Sequence, residues 1–318
     1  MNEKRKIVLV GCGFVGMSMA YSFLNTGGID ELVLIDVDEE KAIGEAMDLQ
    51  HGLPYARGKM TIRAGGYEEC KDAAVVVITA GVTQKPTETR LDLTARDTVI
   101  IKSVTEQIMA NGFDGILVIA SNPVDAMTYV AQKVSGLPKH RVIGSGTILD
   151  TARLRYMMSE YLNVSTSNIH AYIMGEHGDS SFVPWTNAYV GCKNLLELLD
   201  EQNRDLKDLH DIYTNVQQAG YEIVKRKRST YYGIGLSLNR LVHAILDDEN
   251  VILTVSAYQN QEYGQEGLYI GVPAVVNRQG IREIVKLPLN EVDQTKFNQS
   301  CETIRNINTE IIDPLLEK

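Results

Sequence analysis

A doubly wound parallel α/β sheet followed by an α+β lobe is the fold class this sequence predicts. Three observations predict it. In the first half, short unbroken runs of β-branched residues alternate with amphipathic stretches closed by glycine. A glycine-rich turn follows the first of those runs. Past residue 145 the alternation stops, and long helical patterns give way to paired strand patterns. Unbroken apolar runs suit strands buried on both faces, and alternating β and α elements build a sheet with helices on both sides. The 318 residues suit two lobes rather than one small core. We place the boundary near 145, giving lobes 1–145 and 146–318.

In chain order, KIVLVG, ELVLID, AAVVVITAG and GILVIAS are the strand patterns of the first lobe. VGMSMAYSFLNTG and EKAIGEAMDLQHG are helical, each ended by glycine. A long amphipathic helix begins around Thr147–Asp150. Asn168–Met174 reads as a strand, and Asn203–Arg226 as a long helix. VILTVSAYQ and LYIGVPAVVNRQG read as antiparallel strands, and TKFNQSCETIRNINTEII as a closing helix.

The composition, 44% hydrophobic and 23% charged, is that of a globular protein. A net charge of -10 without a basic stripe argues against nucleic acid as a partner. The densest basic run, Lys225–Arg228, is short, and a helix spreads it around its circumference. No apolar run is long enough to cross a membrane, and the charged start predicts no secretory leader. Cys12, Cys70, Cys192 and Cys301 are spaced like neither a zinc site nor a disulfide framework. They predict buried or partly buried thiols in a reducing cytoplasm, with no metal.

VLVGCGFVGMSMA places Gly11, Gly13 and Gly16 as G-x-G-x-x-G between a strand and a helix. The first glycine permits the tight turn, the second a close approach to a pyrophosphate, the third close helix–strand packing. Asp36 ends the next strand, twenty positions after Gly16. An acid there accepts hydrogen bonds from ribose hydroxyls and repels a 2′-phosphate, so NAD is favoured over NADP. The segments VITAGVTQKP and VIASNPVD fall at the same sheet edge. Asn122 of the second could bridge a nicotinamide and a substrate oxygen, or simply make an Asn-Pro turn.

In ILDTARLRYMM, Asp150 and Arg153 share a helix face, as a site or as an ordinary ion pair. Arg155 lies about 200° around the axis from Arg153, so the two arginines cannot serve one cleft. His177, in AYIMGEHGDSS, is either a solvated loop residue or an acid/base.

Together GCGFVG, AGVTQKPTETRLDL, SNPVD, LDTARLR, IMGEHGD and STYYGI resemble, in order and spacing, the bacterial L-lactate dehydrogenases. Malate dehydrogenases and other L-2-hydroxyacid dehydrogenases share most of these motifs. The resemblance implies a Rossmann lobe that holds NAD through Gly11, Gly13, Val15, Gly16, Asp36, Lys41, Tyr67, Ala80, Gly81, Ser103, Asn122 and Ser145. It implies His177 as the acid/base, Asp150 as the residue orienting it, Arg153 as the clamp on the substrate carboxylate and Thr230 beside the substrate. Arg90, on a mobile loop Val82–Leu93, is implied to polarise the ketone. Gln84 is implied to set specificity: malate dehydrogenases carry an arginine there, and a neutral side chain suits pyruvate and L-lactate. Arg155 and His170 are the implied site of a fructose bisphosphate activator between subunits, and a homotetramer is the implied assembly. An NAD-binding protein without catalysis is the contrasting class; intact Arg90, Asp150, Arg153 and His177 argue against it.

Overall fold

The computed structural model describes residues 5–82 and 90–317, with the backbone alone at Arg90. The first strand, β1 (Lys6–Val10), is buried along its whole length. After it come α1 (Phe14–Thr26), β2 (Glu31–Ile35), α2 (Glu39–Gly52), β3 (Thr61–Ala64), β4 (Val75–Ile78), α3 (Arg90–Ala110), β5 (Ile116–Ile119), α4 (Val124–Ser135) and β6 (Val142–Gly144). These six strands pair in parallel in the order β6-β5-β4-β1-β2-β3. Crossover helices cover both faces, which is why the strands read as unbroken apolar runs. The order reverses between β1 and β4, and the crevice at the carboxyl ends of those strands is where such sheets bind ligands.

The second half starts with α5 (Ile148–Leu162). A small antiparallel sheet follows, made of β7 (Ile169–His170), β8 (Tyr189–Val190) and β9 (Lys193–Asn194). Next come α6 (Leu195–Glu201), α7 (Leu206–Lys227) and α8 (Tyr232–Leu246). A long hairpin of β10 (Val251–Asn260) and β11 (Glu266–Asn277) follows, then β12 (Gly280–Ile284) and α9 (Glu291–Ile307). Side chains start several of these helices: Asp205 accepts the Lys207 N–H at α7, and Asn290 the Asp293 N–H at α9.

The two halves share one sheet. β10 runs antiparallel to β6 through the pair Ser256–Gly144, so the hairpin together with β12 extends the six parallel strands into a nine-stranded sheet among the described residues. A Cβ at Gly144 would stand 2.6 Å from that of Ser256, so only glycine allows this approach.

Three expectations need correction, and some strands went unread. The predicted strand Asn168–Met174 is a strand only at Ile169–His170. Beyond that point its backbone groups are taken by side chains of α5: Thr147 Oγ1 donates to Ile173 O at 2.6 Å, Ile173 N–H donates to Thr151 Oγ1 at 3.0 Å, and Arg155 Nε donates to Ala171 O at 3.1 Å. Cys192 is exposed in the β8–β9 turn, whereas the other three cysteines are buried. Arg90–Leu93, expected on a loop, form the first turn of α3. The short strands β3, β6 and β12 had no counterpart in the sequence reading.

Candidate active site

The glycine turn is formed by backbone and by missing side chains. Gly11 takes φ +106°, and a Cβ there would lie 2.7 Å from Ala80 N. At Gly16 a Cβ would sit 2.2 Å from Gly11 O, so α1 can start this close to the sheet only with glycine. Beside Gly13 nothing lies within 4 Å of where a Cβ would stand. No side chain caps α1, which leaves its first-turn N–H groups to an anion. Asp36, at the end of β2, accepts the Cys12 N–H at 2.7 Å and the Asp38 N–H at 3.1 Å, with Lys41 Nζ 3.7 Å away. The open cradle at Gly13, the uncapped helix and the anchored carboxylate fit the diphosphate and ribose of a dinucleotide. Tyr67 and Ala80 are partly buried; Gly81, like Ser103 on α3, is exposed.

A cavity of about 550 Å³ opens beside this turn. Val15, Asn122 and Ser145 line it from the sheet side, and Asp150, Arg153, His177 and Thr230 from the other. Thus seven of the residues singled out from sequence meet around one space. Asn122 reaches it at the turn before α4, where the Asn122–Pro123 peptide is cis. Gln84 lies outside the described residues, as does the Arg90 side chain.

Within the cavity the charges form a chain. His177 Nδ1 is 2.6 Å from Asp150 Oδ2, and Arg153 Nη1 donates to Asp150 Oδ1 at 2.9 Å. The His177 side chain keeps 30% of its surface exposed, and Asp150 and Arg153 only 15% and 16%. Burial works against the imidazolium, but the Asp150 carboxylate outweighs it, aided by Asp125, and the His177 pKa is raised above the ordinary imidazole value. Burial also works against the Asp150 carboxylate; His177 and Arg153 overcome it and hold the acid below its usual range. With Nδ1 facing Asp150, Nε2 is the nitrogen left to exchange a proton.

Arg155 is absent from the cavity lining, on the opposite side of α5 from Arg153 as the helical period requires. Its guanidinium stands 5.0 Å from the Tyr172 ring centroid, and His170 is exposed. Sequence reading missed several groups that shape the site. Tyr213 of α7 lines the cavity and donates to Ser181 O; Ser256, Ser300 and Asp125 bond beneath His177. In the sequence Asp125 stood out only as part of the SNPVD segment; the structure places it in the first turn of α4, where an acid ordinarily complements the helix dipole. Among the described residues no group of His, Cys, Asp and Glu could hold a metal ion, and no helix is long and apolar enough to cross a membrane.

A dinucleotide cradle sharing a cavity with a histidine–aspartate–arginine chain defines the class: a dinucleotide-dependent oxidoreductase of small acids. Comparison with known proteins narrows it. Residues 5–144 match the lactate/malate dehydrogenase NAD binding domain, and residues 147–313 match the alpha/beta C-terminal domain of that family. The chain belongs to the lactate/malate dehydrogenase family. It is 51% identical to the L-lactate dehydrogenase of Macrococcus caseolyticus over 96% of both chains. It is 54% identical to L-lactate dehydrogenase 1 of Bacillus cereus over 94% of this chain and 96% of that one. Among solved structures, MGS-M5, a lactate dehydrogenase from a Medee basin deep-sea metagenome, superposes with a TM-score of 0.95 at 52% identity, covering 97% of this chain and 99% of that one. The minor L-lactate dehydrogenase of Enterococcus mundtii in its ligands-bound form also gives 0.95, at 46% identity and the same coverage.

Proposed function

We propose that this chain is an NAD-dependent L-lactate dehydrogenase that reduces pyruvate to L-lactate reversibly. The observation that carries the reading is the hydrogen-bonded chain His177–Asp150–Arg153, lining the cavity that Val15 of the glycine turn also lines. Bound NADH supplies the hydride. His177 gives the Nε2 proton to the C2 oxygen as charge develops there, and takes it back in the oxidation. Asp150 keeps the Nδ1 proton toward itself, which fixes the tautomer and offsets the imidazolium charge. Arg153 spends one N–H on Asp150, and its remaining N–H groups clamp the substrate carboxylate. Asn122 and Thr230 border the substrate, and Arg90, at the start of α3, is assigned to the ketone oxygen. Gly11, Gly13, Val15, Gly16 and Asp36 hold the dinucleotide, in a cofactor lobe that ends near residue 145.

Pyruvate is preferred to oxaloacetate because Gln84 is neutral. A second carboxylate in a closed site would lack a counterion, a large cost. NADH consumption with a panel of 2-oxoacids tests this reading. Fastest turnover is expected with pyruvate, and Gln84→Arg is expected to shift kcat/KM toward oxaloacetate at least tenfold. Turnover chiefly of oxaloacetate by the unaltered enzyme would make it a malate dehydrogenase; NADH binding without turnover would make it a binding protein.

Arg155 and His170 are assigned to a fructose bisphosphate activator at a subunit contact of a homotetramer. The separation of Arg155 from the catalytic face supports this, since paired cations from two subunits suit two phosphates. Superimposable pyruvate saturation curves with and without the sugar bisphosphate would remove that role. A cytoplasmic location is supported by four unpaired thiols.

A further inference from the structure

The backbone at His177 is pinned by groups distant in sequence. The N–H of Gly175 donates to Gly271 O on β11 at 2.9 Å, that of Glu176 to Ser300 Oγ on α9 at 2.7 Å, and that of His177 to Asp125 Oδ2 on α4 at 2.9 Å. Two of these acceptors are a carbonyl and a hydroxyl. The third is a carboxylate only 1% exposed, whose other oxygen accepts the buried Ser256 hydroxyl at 2.5 Å. Holding a loop does not need a charge, since its neighbours do so without one. Burying a carboxylate is costly unless it is bonded and faces positive charge. Asp125 meets both conditions: it has two donors, it stands in the first turn of α4, and beside it is the residue that becomes cationic in each catalytic cycle.

We propose that Asp125 is a positioning residue for proton transfer: it fixes the His177 backbone and sets a second negative charge, beside that of Asp150, against the imidazolium. The inference rests on the dehydrogenase reading for its catalytic consequence, but not for the link itself. Charged and titratable groups face this pair from several elements among the described residues. Asp150 and Arg153 face His177 from α5 and Asp125 faces it from α4, while Glu176 of the same loop opposes Asp125. Tyr213 of α7 faces Asp150 and Asp179, and Cys301 of α9 faces Asp125; burial pushes both groups up to about 12, so they stay neutral. Burial lifts the Asp125 carboxyl to about 6, which leaves it ionised at neutral pH.

The full-length Asp125→Asn variant is the test, with its histidines 13C-labelled and the imidazole of His177 titrated by NMR. The amide is isosteric: its oxygen can keep the His177 N–H, and its NH2 can donate to Ser256 Oγ. The His177 titration is expected to move down by about one pH unit, because a nearby negative charge is lost. The alkaline limb of kcat/KM for pyruvate is expected to move with it, so that kcat/KM on the alkaline side of the titration falls about tenfold while KM for NADH stays unchanged. Ser256→Ala, which only weakens the support of the carboxylate, is expected to shift both readouts less and in the same direction. It decides the matter if the first variant does not fold. An unmoved His177 titration overturns the proposal, whether activity is kept or lost, since lost activity alone would mark a merely structural post. The titration needs no substrate. An unaltered enzyme that fails to turn over pyruvate therefore sinks the functional reading and leaves the Asp125–His177 link to be judged separately.

Discussion

The glycine turn, through Val15, and the His177 cluster border the same cavity but are built from opposite materials. At the turn the work is done by backbone: φ +106° at Gly11, a Cβ excluded at Gly16, empty space at Gly13 and an uncapped helix. Across the cavity it is done by long charged side chains drawn from α4, α5 and the loop carrying His177, each tied to another by hydrogen bonds. The first design recognises a ligand by shape and dipole, which suits the diphosphate and ribose of a cofactor, the parts that the reaction leaves unaltered. The second stores compensating charge, which suits a group that gains and loses a proton. At Gly11 and Gly16 the first tolerates no added atom, and little in it depends on pH. The second tolerates changes of volume better than changes of charge.

Substitutions can break this contrast. The largest effect is expected at His177→Asn, which keeps the shape and removes the proton: kcat/KM for pyruvate falls about 10³-fold, with NADH affinity unchanged by fluorescence titration. In the mechanism proposed for the unaltered enzyme, pyruvate reduction draws on the protonated ring. It is therefore expected to fall as pH rises through a His177 pKa above the ordinary imidazole value, while lactate oxidation rises through the same point. Next is Gly16→Ala, whose Cβ would clash with Gly11 O at 2.2 Å. Overpacking of this kind costs about 1–3 kcal/mol, so NADH binding should weaken about 10- to 100-fold with no movement of the pH limb. A moved limb would mean that the two regions are not separable. The smallest effect belongs to Asp36→Asn, expected to raise KM for NADH about tenfold and to narrow the preference over NADPH.

The contrast also explains what could be read from the sequence. The turn is local: Gly11, Gly13, Gly16 and Asp36 lie within one β–α–β unit, so spacing alone exposes it. Helices such as α1, α5 and α7 were legible from periodicity and their glycine or polar ends. Asp150 and Arg153 were legible as neighbours on one helix, but their meeting with His177 came from resemblance rather than from any periodicity. Asp125 was illegible in that role because its partners are 52 and 131 positions away. The overlong strand at Asn168–Met174 has a similar cause. Ala171, Ile173 and Met174 are buried, as in a strand, but their backbone groups bond to side chains and to Phe182 rather than to a ladder. Three-residue β6 is too short to show any period, although it makes the join with β10.

That join has a consequence for anyone recombining relatives of this enzyme. A chimera spliced between residues 144 and 147, where the two family matches meet, cuts beside the Ser256–Gly144 pair. The same serine continues through Asp125 to the His177 amide. Swapping one parent's cofactor half for another's therefore transplants the footing under His177, and parents should be matched at residues 125, 144 and 256 before their pockets are compared.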